Sequence, residues 1–285
     1  DDYTIEAPLV DFLPDGRMIV AEGNSATAIE IAVETAAGSK AFTYLTSLTT
    51  ASEPPLEEYT TYGSFIKVVD ANTVLVGAST YIYKLSLSPV SVELLAEVGN
   101  CDAIVSDDVL YITRSEYNPD WSADSSVSRI DLDDPSAHVD LITAIPGASA
   151  GVCLDEDGNI YTGNGYTNYG LDETGVIKRF TLANLPLAWT AGTGVGDVLS
   201  AGSLIWAGNG IILVGGGDTF GSSGDADYFA ALDTATGAKL WELDPDTADG
   251  SYYRLNTNAD RFAASIWNYT PHTGTIFLLP CAALG

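Results

Sequence analysis

Basic residues are what this chain has least of. Lys and Arg number 11 against 39 Asp and Glu among 285 residues, a formal net charge of −28. A surface of that sign repels phosphate backbones and anionic lipid headgroups, so nucleic acid is excluded as an expected partner. No run approaches the roughly 20 apolar residues of a membrane helix, so membrane insertion is not expected. Histidine occurs twice, at His138 and His272, and neither neighbours a serine or cysteine in an arrangement that would activate a nucleophile. The three cysteines, Cys101, Cys153 and Cys281, cannot all pair within the chain and match no zinc or haem spacing, which leaves buried thiols as the simplest reading. Gly194-Val195-Gly196 and Gly215-Gly216-Gly217 lead into no helix, so they are not phosphate cradles. Helical periodicity is nearly absent, which argues against α/β folds.

What is present is a repeat. Hydrophobic residues make up 46% of the chain and glycine contributes 28 positions, the composition of a globular, turn-rich protein. Residues 150–192 read as one complete four-stranded unit. Val152, Leu154, Ile160 and Tyr161 flank the acidic turn Asp155-Glu156-Asp157-Gly158-Asn159, and a third and a fourth apolar stretch follow after polar loops. The same order recurs from residue 9, turning at Asp15-Gly16; from 65, turning at Asp70-Ala71; from 102, turning at Asp107-Asp108; and from 203, turning at Asn209-Gly210. A sixth unit is a hairpin around Pro271-His272-Thr273-Gly274, after which the chain stops.

Four short strands per unit, at a spacing of about 40 to 55 residues, is the pattern of a β-propeller, because one such sheet cannot bury its faces alone and must stack on the next. The expected fold is an all-β six-bladed β-propeller, with seven blades as the alternative, forming a single domain over residues 1–285. An open edge would invite pairing with other chains. Residues 3–7 are therefore expected to complete the last sheet, and all six first-hairpin turns, Thr273-Gly274 included, to lie on one face.

Two stretches carry family resemblances. Gly151-Val152-Cys153-Leu154-Asp155-Glu156-Asp157-Gly158-Asn159-Ile160-Tyr161 resembles the inner hairpin of NHL-repeat and gluconolactonase-like propellers. Ala231-Leu232-Asp233-Thr234-Ala235-Thr236-Gly237-Ala238-Lys239-Leu240-Trp241 resembles the A-L-D-x-x-T-G-x-x-L-W repeat of quinoprotein-like (PQQ-repeat) propellers. The full quinoprotein motif occurs once, where that family uses several. The gluconolactonase resemblance implies a divalent cation in a central channel, and the positions near inner-strand starts that match it are Asp11, Asn100 and Asp102. The family's glutamate motif has no counterpart in the first strand.

The connections between second and third strands are long in three consecutive units. They bring Tyr117 and Trp121, then Tyr166 and Tyr169, then Asp218 and Phe220 towards one rim. Aromatic faces beside planar polar groups suit sugars by stacking and cations by cation–π attraction, and equally suit packing of the loops on each other. Acidic Gly-rich loops such as 215–227 are also hard-cation donors, which makes calcium the expected ion if one is bound. Scarce lysine, abundant Thr, Ser, Gly and Tyr, and a chain that opens at Asp1 with no signal peptide point to an exported, processed protein, extracellular, periplasmic or at the cell surface. The expected function is a non-catalytic binding or cell-surface interaction module whose partner is a small molecule, a glycan or another surface protein. The alternative is a cation-dependent lactonase-type hydrolase using the central channel.

Overall fold

A computed structural model describes residues 3–5, 9–25, 28–49, 64–78, 80–117, 119, 123–136, 138–146, 148–166, 177–181, 187–191, 203–216, 228–243, 250–257, 261–268 and 273–280. Among these residues every regular element is a strand, and the strands form six antiparallel sheets of four. The chain divides into two compact units, one comprising Asp1–Asn100 with Asn256–Gly285, the other Cys101–Leu255.

Strand β1 (Tyr3–Ile5) is followed in the first unit by a sheet of β2 (Leu9–Phe12), β3 (Met18–Ser25), β4 (Ala28–Glu34) and β5 (Phe42–Thr49). A second sheet follows from β6 (Phe65–Val68), β7 (Thr73–Ala78), β8 (Tyr81–Leu87) and β9 (Val90–Glu97). The second unit contains the sheet of β10 (Asp102–Ser106), β11 (Val109–Tyr117), β12 (Ala123–Asp131) and β13 (His138–Pro146). Next comes the sheet of β14 (Ala148–Leu154), β15 (Ile160–Tyr166), β16 (Ile177–Phe180) and β17 (Leu187–Ala191). Its last sheet is β18 (Ser203–Gly208), β19 (Ile211–Gly216), β20 (Tyr228–Asp233) and β21 (Lys239–Leu243). The sixth sheet has the order β1-β24-β23-β22, from β22 (Gly250–Thr257), β23 (Arg261–Asn268) and β24 (Thr273–Pro280).

Chain ends therefore share a sheet, as the need to cover an edge predicts: Tyr3, Thr4 and Ile5 pair with Ile276, Thr275 and Gly274. Glu6 and Ala7, the rest of the segment expected there, lie outside the described residues. One expectation fails. The sixth unit is not a first hairpin followed by missing strands, because β22 precedes that hairpin, and the connection before Thr273-Gly274 joins the second and third strands of its sheet. Ser251-Tyr252-Tyr253-Arg254-Leu255-Asn256 mixes apolar and polar positions with no strict alternation, so its strand character rests on its pairing partner rather than on its own pattern. The other five turns do join first to second strands.

Those five turns use local chemistry that the sequence carries. Asn209 and Gly210 both take positive φ, 53° and 74°, as a two-residue hairpin turn requires. Asp70 Oδ1 accepts the N–H groups of Asn72 and Thr73, at 2.6 and 2.8 Å, so the side chain replaces a backbone acceptor.

Where burial is described, the fourth strands are the least buried of their sheets. In β7, Val74, Leu75, Val76 and Ala78 are all buried, whereas in β9 Val90 and Leu94 are exposed. In β4 the buried Ile29, Ile31 and Val33 alternate with half-buried residues, the period of a strand packed hardest on one face. In the first unit they join Ile66, Val76 and Tyr83 in one core between two sheets. In the second unit Ile177, Leu204, Ile212 and Leu232 join in another. Each such fully buried side chain contributes about 1.5–3 kcal/mol relative to exposure.

First strands of neighbouring sheets come into direct contact. In the first unit, Val68 N–H of β6 donates to Asp11 Oδ2 of β2 at 2.6 Å. In the second, Val152 N–H of β14 donates to Asp102 Oδ2 of β10 at 3.3 Å. Between β14 and β18 no side chain fits at all: a Cβ on Gly151 would sit 2.9 Å from Leu204 N and 3.2 Å from the Ser203 carbonyl carbon. Because the opposing atoms are backbone, neither strand can yield cheaply. Gly151→Ala should therefore destabilise the protein by about 1–3 kcal/mol, whereas Gly99→Ala, with nothing within 4 Å of its added Cβ, should stay within about 0.5 kcal/mol of the unaltered chain. Urea denaturation of the two variants checks this, and equal midpoints would refute the close approach.

Candidate functional site

The six aromatic and acidic rim residues map onto the three connections expected, β11–β12, β15–β16 and β19–β20, all in the second unit. Tyr117 closes β11 opposite Ala123, and Tyr166 closes β15 opposite Ala148. Trp121, Tyr169, Asp218 and Phe220 lie outside the described residues, as do the side chains of Tyr117 and Tyr166. The backbone thus sets these three connections at corresponding places in successive sheets.

The three cation candidates are all described. Asp11 is half-buried in β2 with its oxygens on backbone, Oδ1 accepting from Phe12 N–H at 2.7 Å and Oδ2 from Val68 N–H. It holds two strands together. Asn100, 6% exposed in the first unit, donates from Nδ2 to the Val98 and Tyr81 carbonyls, while its Oδ1 has no hydrogen-bond partner among the described residues. Asp102, 2% exposed at the start of β10 in the second unit, uses Oδ2 for Val152 N–H and leaves Oδ1 without a partner among the described residues. A buried acceptor left unmade is destabilising, and a hard cation is one species that satisfies such an oxygen. Asn100 and Asp102 therefore have the donor chemistry for a cation, and Asp11 is already committed. Among the described residues, no group of three or more His, Cys, Asp or Glu side chains is arranged to hold a metal ion.

The most highly connected carboxylate is one that sequence reading treated only as turn chemistry. Asp155 Oδ1 accepts the N–H groups of Asp157 and Asn159 at 3.0 and 2.8 Å, and Oδ2 accepts Asn159 Nδ2 at 2.8 Å and the Tyr161 hydroxyl at 2.7 Å. Partial burial alone would raise its pKa, but these hydrogen bonds outweigh it and hold the carboxyl below its ordinary value. Tyr161 responds in the opposite direction: burial, then the bond to Asp155 and its charge, push the phenol well above its usual pKa. Its ring lies 5.7 Å from that of Trp189 and under the Arg179 guanidinium. Trp189 Nε1–H in turn donates to the Thr234 carbonyl of the next sheet at 2.9 Å, and its indole fills the space where a Cβ on Gly237 would come within 2.7 Å.

A second polar network crosses β11, β12 and β13. Arg114 donates to Ser126 Oγ and Asp140 Oδ1, and its Nη1 lies 3.3 Å from His138 Nε2. A guanidinium only donates, so a hydrogen bond between the two is accepted by the imidazole. Ser128 Oγ donates to Asp140 Oδ1 rather than to the imidazole, so no Ser–His pair forms. His272 and Cys281 lie outside the described residues; Cys153 is buried and Cys101 half-buried, with its sulfur 3.5 Å from Ser115 Oγ.

No protein-family model and no curated protein matches the sequence. Solved structures do match in shape. A chain of the structure described as "Crystal Structure of Mitotic Checkpoint Complex" is similar at TM-score 0.61 and 11% identity, over 97% of this chain and 91% of that chain. Together with the four-strand sheets, this decides the architecture. The fold is a β-propeller. At that identity the likeness carries architecture alone, since a propeller hosts many unrelated functions.

In the A-L-D-T-A-T-G stretch, Gly237 leaves room for Trp189 of the preceding sheet. The Asp155 network was readable only in part, because its spacing to Asn159 marks a turn, whereas the reach of Tyr161 to Oδ2 depends on strand register. Asp155 has a lowered folded-state pKa, so its contribution is complete above the unfolded carboxyl pKa of about 4 and is lost as pH falls through the folded value. Asp155→Asn should thus be destabilised by about 1–3 kcal/mol at pH 7, and its deficit against the unaltered protein should shrink in acid below about pH 4. Denaturation at both pH values measures this; a deficit that grows in acid would contradict the assignment.

Proposed function

We propose that the chain is an exported, non-catalytic binding module, one propeller domain spanning residues 1–285, at or beyond the cell surface. The observation that carries this reading is the placement of three long second-to-third connections on three successive sheets of one unit, bearing Tyr117, Trp121, Tyr166, Tyr169, Asp218 and Phe220. Stacking surfaces interleaved with acidic groups suit a glycan or a cationic group, and the charge of −28 favours the latter's approach by long-range attraction. Another surface protein is the further partner class, supported by the similar chain's presence in a structure described as a complex.

A second reading, a calcium-dependent or other divalent-cation-dependent lactonase-type hydrolase, is favoured by the unpartnered buried oxygens of Asn100 and of Asp102. Calcium titration separates the two. An ion bound by the folded state raises the melting temperature with concentration; that rise, its loss in Asp102→Asn, and turnover of a lactone would support the hydrolase.

For the binding module, stacking contributes about 0.5–1.5 kcal/mol per aromatic pair, so no single ring need dominate. Replacing Trp121 and Tyr166 together by alanine should abolish retention of glycan or cationic ligand on an array while leaving the melting temperature nearly unchanged. A large fall in melting temperature, with no ligand found for the unaltered protein, would assign these aromatics to loop packing and end the proposal.

A further inference from the structure

One basic side chain, Arg179, buries a donor that no described residue accepts. In a chain with 11 basic side chains against 39 acidic, Arg17, Lys84, Arg114 and Lys239 each meet a carboxylate, those of Asp15, Glu93, Asp140 and Glu242. Arg179, like Lys67 and Arg129, meets none among the described residues; it differs from both in its buried Nε. It occupies β16 directly opposite Tyr161 of β15 and Trp189 of β17, so the three side chains share one face of the sheet. Its guanidinium carbon lies 5.8 Å from the centroid of the Tyr161 ring. Its Nε is buried and has no hydrogen-bond partner among the described residues. The Asp155 carboxylate, hydrogen-bonded to that same tyrosine, is occupied by Asp157, Asn159 and Tyr161.

A guanidinium has two chemically different surfaces. Its face stacks on an aromatic ring, and its edge carries the N–H groups, among which Nε and one Nη form the fork that matches the two oxygens of a carboxylate. Here the face is used by Tyr161, while the Nε end of the edge is withdrawn from water without an acceptor. A buried donor in that state is destabilising, and an acidic chain has no shortage of carboxylates that could relieve it. The half-buried Trp189 beside it adds an apolar wall.

We propose that Arg179 is the recognition group of a small-molecule site whose ligand carries a carboxylate, received by the Nε/Nη fork between Tyr161 and Trp189. The site uses none of the rim residues and stands independently of the rim reading. The overall negative charge makes a singly charged carboxylate the favoured anion over inorganic phosphate, because each added negative charge on the ligand is repelled by the same surface.

The test follows the side-chain Nε–H signal of Arg179 by nitrogen-edited NMR, assigned by its disappearance in Arg179→Lys, during titration with acetate, glucuronate, glucose and inorganic phosphate. Acetate and glucuronate should shift it saturably, with midpoints on the order of millimolar for so small a contact. Glucose and phosphate should leave it in place. Arg179→Lys keeps the charge but loses the fork and should weaken glucuronate binding about tenfold or more, read from Trp fluorescence; Arg179→Gln should abolish it. An Nε–H signal unmoved by either carboxylate at about 100 mM, equal shifts with phosphate, or unchanged glucuronate binding by Arg179→Gln would each overturn the proposal and leave Arg179 as a stacking group. Should Arg179→Gln fail to fold, the Nε–H titration of the unaltered protein and the Arg179→Lys comparison give the same decision.

Discussion

Inner strands of neighbouring sheets must approach with almost no room for side chains, and the rest of the structure follows from how the chain permits it. Where β14 meets β18 the permission is a missing Cβ at Gly151. Where β2 meets β6, and where β10 meets β14, it is a carboxylate that accepts a backbone N–H from the neighbouring strand, Asp11 for Val68 and Asp102 for Val152. Within each unit these contacts accompany burial of inner-strand side chains such as Val10, Ile66, Val152 and Leu204. The fourth strands are left in water, which is why Val90, Leu94, Leu187 and Leu240 are exposed although they continue the same apolar pattern.

The same constraint limits what the candidate cation residues can do. A carboxylate that bridges two strands has spent its geometry on that bridge, so Asp11 is a structural acid before it is a ligand. Asp102 has spent one oxygen and kept the other. The contrast between them shows why position near an inner-strand start does not assign a role: both residues satisfy that criterion, and only the acceptor accounting tells them apart.

Polar chemistry in the second unit runs across sheet faces as well as through turns. Tyr161, Arg179 and Trp189 are far apart in sequence but register partners across three strands, and Trp189 then reaches Thr234 and Gly237 of the next sheet. One row of side chains thereby links a hairpin turn, a guanidinium and the adjoining sheet. The Arg114, His138 and Asp140 network has the same origin, in facing positions of β11, β12 and β13.

Strand order within five of the six sheets was legible in the sequence, because period-two apolar stretches separated by Asp, Asn and Gly turns are determined by local sterics and hydrogen bonding. The turn at Asn209-Gly210 needs no neighbour to form. The strand at Gly250–Thr257 was not legible, since its apolar positions are too few to mark it without the partner it pairs with. The same division holds for the site. The residue types of the rim and the turn role of Asp155 are properties of nearby sequence. That Asp155 binds Tyr161, that Arg179 stacks without a counter-ion, and that Asp102 retains a bare oxygen are matters of register and inter-sheet distance, quantities that come into being only when separate sheets pack and that no single stretch of chain encodes.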